Sequence, residues 1–501
     1  MLRTMAAATL AACLLASLVV AGCGGGGSGP GVGSIQGYAF GQIPSAAGTK
    51  APAIAVSRGP TPPAGYEPLA GALVMVTGSS TIATTDDQGY FRIDNVVAGV
   101  ETVTVSKSGY LTAVLQVTVV AGQLVTVADA LLQPSVRKWT FLVFLNADND
   151  LDEFGLEDVN EMEMVGSTPE MDIIVQMDRL NGPCVRMRVI HDNDPAAITS
   201  PVLPGGELGE VDMGDWRVLH DFIAWGMTSY PAEHYCLVIW NHGAGWRALT
   251  TPTENPVTRG VSFDENGTYI TIPDLPRALD VHPRMDIIAF DASLMQMVEV
   301  AYQVRHFGGI MVGSEESPPG SGYPYQTFLS TLAATPTISP EDFATEIVQQ
   351  TLTHYTSIGF TSGLTQSAVS LANMDGVALA ADGFARALAT AMPAYSAQIT
   401  SARTQAQHYA YPDNKDFYDF ARLINGLVPV PTVTSTSQGV MQALQDAVFA
   451  EAHNAARANS HGLAIFIPRS TDYSTFYRLS YQQLEFSFNT FWDDWLAVSP
   501  P

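Results

Sequence analysis

The stretch MDIIAFDASLMQMVEVAYQV, from Met285 to Val304, combines the signatures of a strand, a turn and a helix. Its apolar run Ile287–Phe290 is short enough for a buried strand, and the small polar turn Asp291–Ser293 follows. Beyond the turn, apolar residues recur at helical spacing, at Leu294, Met297, Val298, Ala301 and Val304. A strand that feeds a helix through such a turn predicts an open α/β sheet, in which ligands bind at the carboxyl ends of the strands.

A second segment upstream has the same organisation. Tyr235–Trp240 is a further apolar, strand-like run, and it leads directly into the turn Asn241–Gly245. His242 lies in this turn beside a Gly-x-Gly sequence, where the backbone can approach a substrate closely. A histidine in such a turn is more often structural than catalytic, but the turn Asp291–Ser293 brings a hydroxyl to the same predicted edge. We therefore expect chemistry from the pair His242 and Ser293.

Strand-like and helix-like segments alternate through the middle of the chain. Trp139–Leu145 and Met171–Met177 have the pattern of buried strands, with the acidic helix Phe154–Val165 between them. Strand, helix and strand at this spacing are typical of parallel βαβ units. Beyond Thr327 the pattern is mainly helical, with helices predicted over Phe343–Tyr355, Gly376–Thr390 and Met441–Ala458. The predicted fold is an α/β/α sandwich with a mainly parallel sheet and a helical C-terminal part.

The segment before this region has short β-rich runs separated by Gly, Pro and Asp turns. We predict an all-β sandwich over residues 34–133 and the α/β domain over residues 138–501. Three pieces of the first segment, at residues 68–76, 85–91 and 106–110, resemble the carboxypeptidase regulatory-like domain family. The resemblance implies a spacer or interaction module without catalytic groups.

Length and charge limit the classes of organisation and partner. A chain of 501 residues exceeds a single compact core, so two or three domains are expected. The formal net charge is −26. Because so acidic a surface repels phosphate backbones, we expect no nucleic acid among the partners.

The first residues predict export. The apolar run Met5–Val20 has the form of a signal peptide and is too brief for a stable membrane span. The sequence VAGC that ends at Cys23 resembles a bacterial lipobox, whose Cys becomes the lipid-modified first residue after cleavage. We predict a signal peptide over residues 1–22, a Gly-rich tether over residues 23–33, and a lipid anchor that holds the protein in the bacterial cell envelope. An ordinary signal peptide cut near Ala21 is the alternative.

Two further cysteines, Cys184 and Cys236, would remain after processing. An exported location permits a disulfide between them. Cys236 lies inside a predicted strand, however, where a buried and unreactive thiol is the more common state. The sequence leaves both states open.

The two turns at the predicted sheet edge resemble the active-site motifs of the clostripain family, which are cysteine endopeptidases with a caspase-like fold. The first motif is NHGAGW, residues 241–246, and the second is DASLMQMVEVAY, residues 291–302. Five further segments fit the same family: residues 146–151, 313–316, 322–325, 416–421 and 461–466. The similarity covers roughly Lys138 to Val498.

The resemblance implies a role for each residue of the two turns. His242 would be the general base, and the nucleophile would stand at position 293. Asp291, at the base of the specificity pocket, would select Arg or Lys in a peptide or protein substrate. The backbone N–H groups of Gly243 and of residue 293 would form the oxyanion hole, in agreement with the turn geometry expected at the strand ends.

The chain departs from the family pattern at the nucleophile, which is Cys in the family and Ser293 here. A thiol can ionise near neutral pH, whereas a hydroxyl must lose its proton to a base during attack, and that base needs an orienting partner. The sequence identifies no such partner. We therefore predict an Arg/Lys-directed endopeptidase that is weak or inactive, with a working serine variant less favoured. The alternative function is a non-catalytic envelope protein that holds basic peptides in the former substrate cleft.

Two further positions bear on this site. Gln296 stands where the family usually has a small residue, which predicts an altered turn after the nucleophile. The loop Arg247–Gly267 is a candidate segment for self-cleavage in an active enzyme, with Arg259 as the candidate position.

Metal binding is not expected to be essential. Asp148, Asp150 and Asp152 resemble the start of a calcium loop, and some enzymes of the family use calcium. The glycine expected at the sixth position and the bidentate Glu expected at the twelfth are absent, however. Hydrogen-bonded loop carboxylates are the favoured interpretation, and the sequence contains no zinc-binding spacing.

Overall fold

The computed structural model describes residues 31–42, 61–107, 109–133, 136–246 and 260–501. The described residues form two compact units, one before residue 134 and one after it. Cys23, the predicted signal peptide and Arg259 lie outside the described residues. Within them, no helix is long and apolar enough to cross a membrane.

The first unit is built from strands in which buried and exposed residues alternate. Its strands are β1 (Val32–Gln42), β2 (Tyr66–Pro68), β3 (Leu73–Val76), β4 (Ala83–Thr84), β5 (Tyr90–Val97), β6 (Gly99–Ser106), β7 (Ala113–Val119), β8 (Leu124–Thr126) and β9 (Ala130–Leu132). β1 pairs with β2, β5, β8 and β9, and the other sheet has the order β4-β3-β6-β7. The inward side chains of the strands pack into one apolar core. The all-β prediction for this segment is confirmed.

The second unit contains a nine-stranded mixed sheet of order β13-β12-β11-β10-β14-β15-β16-β17-β19. The strands of this unit are β10 (Arg137–Ala147), β11 (Met171–Arg179), β12 (Gly182–Arg188), β13 (Val202–Gly209), β14 (Ala232–Trp240), β15 (Met285–Asp291), β16 (Gly308–Gly313), β17 (Thr365–Ser370), β18 (Asn414–Asp416), β19 (Val448–His453) and β20 (Ala464–Phe466). Strands β11, β10, β14, β15 and β16 run parallel, and the outer strands on both sides are antiparallel. β18 and β20 form a separate pair.

Helices cover both faces of this sheet, which explains why its central strands are continuously apolar. The helices are α1 (Asp152–Glu163), α2 (Trp216–Ser229), α3 (Leu275–Ala278), α4 (Val298–Val304), α5 (Tyr325–Ala334), α6 (Pro340–Ser357), α7 (Met374–Gln405), α8 (Phe417–Leu427), α9 (Pro431–Ala447), α10 (Ser470–Asp472), α11 (Arg478–Tyr481), α12 (Glu485–Asn489) and α13 (Trp492–Val498). Residues of α1, α5 and α6 pack on one face, and residues of α2, α3, α4, α7, α8 and α9 pack on the other. The predicted α/β/α sandwich is confirmed.

One predicted helix is wrong over its second half. Met441–Ala458 was expected to be helical, but α9 ends at Ala447 and β19 continues from Val448 to His453. Residues of β19 alternate in burial and pair antiparallel with β17 at the edge of the sheet. The local sequence is rich in helix formers, and long-range pairing with β17 overrides that preference.

The two cysteines do not form a disulfide. Cys184 and Cys236 are both free and fully buried. Cys184 packs in the core on one face of the large sheet, and Cys236 packs in the core on the other face. Side chains on opposite faces of a sheet cannot be bridged, so of the two states left open by the sequence, the buried thiol is the one observed.

Candidate active site

Strands β14 and β15 bring the two turn residues to one edge of the sheet. The strands are parallel neighbours, and their register pairs Trp240 with Asp291. His242 and Ser293 each lie two residues beyond these partners, so the two turns begin side by side at the same edge of the sheet. The backbone N–H of Asn241 donates to the carbonyl of Asp291 over 3.2 Å, which holds the two chains together up to their turns.

A cavity of about 190 Å³ lies at this edge. His242, Ser293 and Asp291 all line it, together with Trp240 and residues of the segment Ser317–Gly322. The structure therefore places a base, a hydroxyl and a carboxyl group around one space that is large enough for a single amino-acid side chain.

The turn after Ser293 is shaped by a neighbouring loop. Leu294 has a φ of +64°, a left-handed conformation that is uncommon for a branched side chain. Its N–H donates to the carbonyl of Glu316 over 3.1 Å. Helix α4 therefore begins only at Val298, instead of continuing directly from the turn as the apolar spacing from Leu294 suggested. The hydroxyl of Ser293 does not lie at the start of a helix.

Gly243 packs directly against the nucleophile position. A Cβ atom at residue 243 would lie 2.4 Å from the carbonyl oxygen of Ser293 and 3.0 Å from the Cβ of Ala292, so only glycine fits. Within the part of the chain that the structure describes, neither the N–H of Gly243 nor the N–H of Ser293 donates a hydrogen bond. Two such donors beside a hydroxyl are candidates for an oxyanion hole.

His242 has a partner that the sequence did not identify. Its Nε2 lies 2.6 Å from Oδ1 of Asp150, which follows β10 on the neighbouring strand of the sheet. The hydroxyl of Ser293 instead lies 2.9 Å from the hydroxyl of Ser317. Among the described residues, no hydrogen bond joins His242 to Ser293.

Asp291 is a buried carboxyl group in the wall of the cavity. Its Oδ2 accepts hydrogen bonds from the N–H of Tyr323 at 3.0 Å and from the hydroxyl of Tyr325 at 2.9 Å. Burial raises the pKa of Asp291 to about 7, because removal from water penalises the charged form. The group can therefore gain or lose its proton near neutral pH.

A second carboxyl group, which sequence reasoning missed, lies behind Asp291. Asp158 on α1 accepts a hydrogen bond from Nε1 of Trp240 at 2.6 Å. A Cβ atom at Gly322 would lie 2.7 Å from Oδ2 of Asp291 and 3.1 Å from Oδ2 of Asp158, so the two groups are neighbours. Burial and the neighbouring Asp291 raise the pKa of Asp158 well above its usual range. Two buried acids this close favour sharing one proton.

The side chain of Glu316 anchors the loop that follows β16. Oε1 of Glu316 accepts the N–H groups of Ser317 at 2.8 Å and Ala410 at 2.9 Å. Oε2 lies 2.5 Å from Nε of Arg457, and the side chain of Glu316 is 5% exposed. Because the carbonyl of Glu316 also holds Leu294, one residue positions both Ser317 and the turn after Ser293.

Gln296 is buried beneath this turn. The side chain is fully buried, and its Nε2 donates to the hydroxyl of Ser367 over 2.9 Å. Its backbone N–H donates to the carbonyl of Ser314 over 3.1 Å. The residue therefore adds a link between the turn and β17.

The three aspartates of the apparent calcium loop have separate environments. Asp148 is buried, Asp150 contacts His242, and Asp152 pairs with Arg179 at 2.7 Å. Within the described ranges, no group of three or more His, Cys, Asp or Glu side chains has an arrangement that could hold a metal ion.

Comparisons with known proteins agree with this architecture. The model of the clostripain family matches residues 143–498, and the model of the carboxypeptidase regulatory-like domain matches residues 62–133. Clostripain of Hathewaya histolytica is 27% identical over 224 residues, which represent 40% of this chain and 43% of that protein. The chain thus spans less than half the length of this curated relative.

Solved structures show the same fold. A secreted C11 cysteine protease from Bacteroides thetaiotaomicron, bound to an irreversible peptide inhibitor, has a TM-score of 0.51 and 22% identity, and covers 69% of this chain and 99% of its own. An inactive zymogen C11 protease from Parabacteroides distasonis has a TM-score of 0.54 and 20% identity, and covers 71% of this chain and 99% of its own. At these identities the likeness confirms the predicted caspase-like fold of the second unit and carries no further conclusion.

Proposed function

Because the chain belongs to the clostripain family, we propose that it is an Arg/Lys-directed member whose cleft binds basic peptides and hydrolyses them slowly through Ser293. The observation that carries this proposal is the single cavity lined by His242, Ser293 and Asp291. In this proposal the cavity receives the side chain of an Arg or Lys, and the scissile carbonyl lies between the hydroxyl and the imidazole.

Asp291 supplies the preference for a cation. A guanidinium or ammonium group beside it favours the carboxylate form, so binding would release the proton that burial keeps on this group near neutral pH. Gly243 and Ser293 would stabilise the oxyanion through their N–H groups, which have no other acceptor among the described residues.

Two observations support a slow reaction. The hydroxyl of Ser293 lies 2.9 Å from the hydroxyl of Ser317, and among the described residues it has no hydrogen bond to His242, so the base is not engaged with the nucleophile before substrate binds. A hydroxyl is also far less acidic than a thiol, so it has no preformed anion with which to attack.

A non-catalytic peptide-binding protein is the second candidate function. The specific observation in its favour is again the Ser293–Ser317 contact, because among the described residues no hydrogen bond joins the hydroxyl of Ser293 to His242. In this case the same cavity would hold Arg or Lys side chains of a partner protein without cleaving the chain.

Peptide reporters with Arg, Lys or Gln at one position test these functions. We expect the wild-type protein to bind the Arg and Lys peptides at least about tenfold more tightly than the Gln peptide, and Asp291→Asn to remove that preference. We expect slow cleavage after Arg or Lys that disappears in Ser293→Ala and in His242→Ala. Equal binding of all three peptides contradicts the proposal, and tight binding without any cleavage supports the non-catalytic function.

We also propose an envelope location through a lipid on Cys23. The support is the VAGC sequence after an apolar run and the Gly-rich tether that follows it. In a bacterial host, the wild-type protein should fractionate with membranes and incorporate labelled palmitate, whereas Cys23→Ser should do neither. Palmitate incorporation into Cys23→Ser would contradict the proposed anchor.

A further inference from the structure

We propose that Asp150 is a positioning residue for His242 and that it adapts this site to base-assisted attack by a hydroxyl. The proposal rests on the proposed function and goes beyond it by naming the third member of the site. Nε2 of His242 lies 2.6 Å from Oδ1 of Asp150.

The contact selects one tautomer of the imidazole. A carboxylate only accepts hydrogen bonds, so Nε2 carries the proton that it donates to Asp150. The opposite nitrogen, Nδ1, is then left with a lone pair and can accept a proton. His242 and Ser293 line the same cavity, so in this proposal Nδ1 is the nitrogen that takes the proton from the hydroxyl of Ser293.

The two loops that carry this pair are tied to the same backbone residue. Asn241, next to His242, accepts the N–H of Phe263 at 2.8 Å and donates to its carbonyl at 3.1 Å. Asn149, next to Asp150, donates to the same carbonyl at 2.7 Å. Phe263 therefore fixes the separation of the two loops, so the contact between His242 and Asp150 does not depend on two exposed side chains alone.

This arrangement supports transfer of the acyl group of a peptide to Ser293 and then to water. Oγ of Ser293 bonds to the scissile carbonyl carbon while its proton passes to Nδ1 of His242, and the carboxylate of Asp150 stabilises the resulting imidazolium. The C–N bond then breaks, the leaving amine takes the proton from Nδ1, and an ester to Ser293 remains. Water attacks this ester, gives one proton to Nδ1, and the proton returns to Oγ of Ser293 as the carboxylic acid leaves.

Exposure to solvent limits how much Asp150 can contribute to the rate of attack by Ser293. The side chain of Asp150 is 80% exposed and that of His242 is 42% exposed, so water screens their interaction. We expect the loss of Asp150 to slow attack by Ser293 about tenfold, which is less than the roughly hundredfold or more that a positioned proton acceptor itself contributes. A thiolate at position 293 needs no proton transfer during attack. Loss of Asp150 should therefore slow attack by the Ser293→Cys protein much less.

The test compares Asp150→Asn in the wild-type protein and in Ser293→Cys. The probe for the wild-type series is a lysyl diphenyl phosphonate, which reacts with an attacking serine, and the probe for the cysteine series is an acyloxymethyl ketone with the same side chain. Labelling rates are read from the intact protein mass, and the affinity for an uncleaved Lys peptide is measured beside them. Glu153→Gln is the matched control because it removes a nearby exposed carboxylate that has no contact with His242.

We expect Asp150→Asn to lower the labelling rate of Ser293 about tenfold and that of Ser293→Cys less than about twofold, with unchanged peptide affinity. Asp150→Glu should recover part of the rate, and Glu153→Gln should have no effect.

Equal losses in both series would show that Asp150 only supports the loop and would overturn the inference. The inference would also be overturned if the phosphonate did not label the wild-type protein while the ketone labelled Ser293→Cys. That result would leave the proposed peptide-binding cleft intact. If no variant binds the Lys peptide, the proposed function itself fails.

Discussion

In the proposed function, Ser293 limits the reaction, because His242, Gly243 and Asp291 fit acyl transfer from a basic peptide. His242 has an orienting partner, Gly243 and Ser293 present unpaired N–H groups within the described chain, and Asp291 lines the wall. The exchange of sulfur for oxygen removes the readily ionised nucleophile. In the proposed function, attack therefore depends on proton transfer from Ser293 to His242, and its rate should reflect how firmly the imidazole of His242 is positioned.

Asp291 should make peptide binding depend on pH. Its raised pKa of about 7 means that the group is mostly protonated at pH 6 and mostly ionised at pH 8. A bound guanidinium favours the ionised form, so the affinity for Arg peptides should rise about tenfold from pH 6 to pH 8. Fluorescence anisotropy with a labelled Arg peptide, in the Ser293→Ala protein to prevent turnover, measures this change.

Asp291→Asn provides the control for that experiment. The amide cannot ionise, so its weaker affinity should be nearly constant over the same pH range. An affinity of the Ser293→Ala protein that stays constant or falls as the pH rises would show that Asp291 does not bind the cation.

The loop after β16 connects the site to the C-terminal part of the unit through Glu316 and Arg457. The side chain of Glu316 is 5% exposed, so removal of the guanidinium would leave a buried charge with only backbone donors. We expect Arg457→Ala to lower the free energy of unfolding by about 3 kcal/mol. Urea titration followed by tryptophan fluorescence reports on this unit alone, because all seven tryptophans lie beyond residue 138.

Arg386→Ala is the comparison for Arg457→Ala. Arg386 pairs with Asp382 one helical turn away, and its side chain is 59% exposed, so its removal should have a much smaller effect. An equal loss of unfolding free energy in both variants would show that Arg457 does not stabilise the buried carboxylate of Glu316.

The sequence predicted the central strands and the positions of His242 and Ser293 because both properties are local. A continuous apolar run followed by a polar turn identifies a buried parallel strand and its end. Asp150 and β19 were missed for the opposite reason. The contact of Asp150 with His242 spans 92 residues of sequence, and β19 is a strand only because it pairs with β17.

Buried carboxyl groups are distributed through the whole second unit. Burial raises the pKa of Asp178, Asp291 and Glu299 to about 7, and raises the pKa of Asp158 and Glu315 in the same direction. In the unfolded chain such groups ionise near pH 4. The folded state therefore binds more protons between about pH 4 and pH 7, so its stability falls as the pH rises through that window.

The second unit should accordingly be more stable at pH 6 than at pH 8. Thermal unfolding followed by tryptophan fluorescence should show a melting temperature several degrees higher at pH 6. Glu299→Gln should reduce the difference, because the amide cannot ionise, even though it also loses part of the hydrogen bonding with Phe466 and Tyr481. A higher melting temperature at pH 8 than at pH 6 would contradict the assignment of these buried groups as proton-binding.

The Ser293→Cys protein gives the most direct test that this cleft is a peptidase site limited by its nucleophile. We predict that this variant cleaves Arg and Lys reporter peptides at least about a hundredfold faster than the wild-type protein, and that His242→Ala in the same background abolishes the gain. Asp291→Asn in that background should remove the preference over the Gln peptide. A folded Ser293→Cys protein that binds the Arg peptide and cleaves it no faster than the wild type would contradict the account.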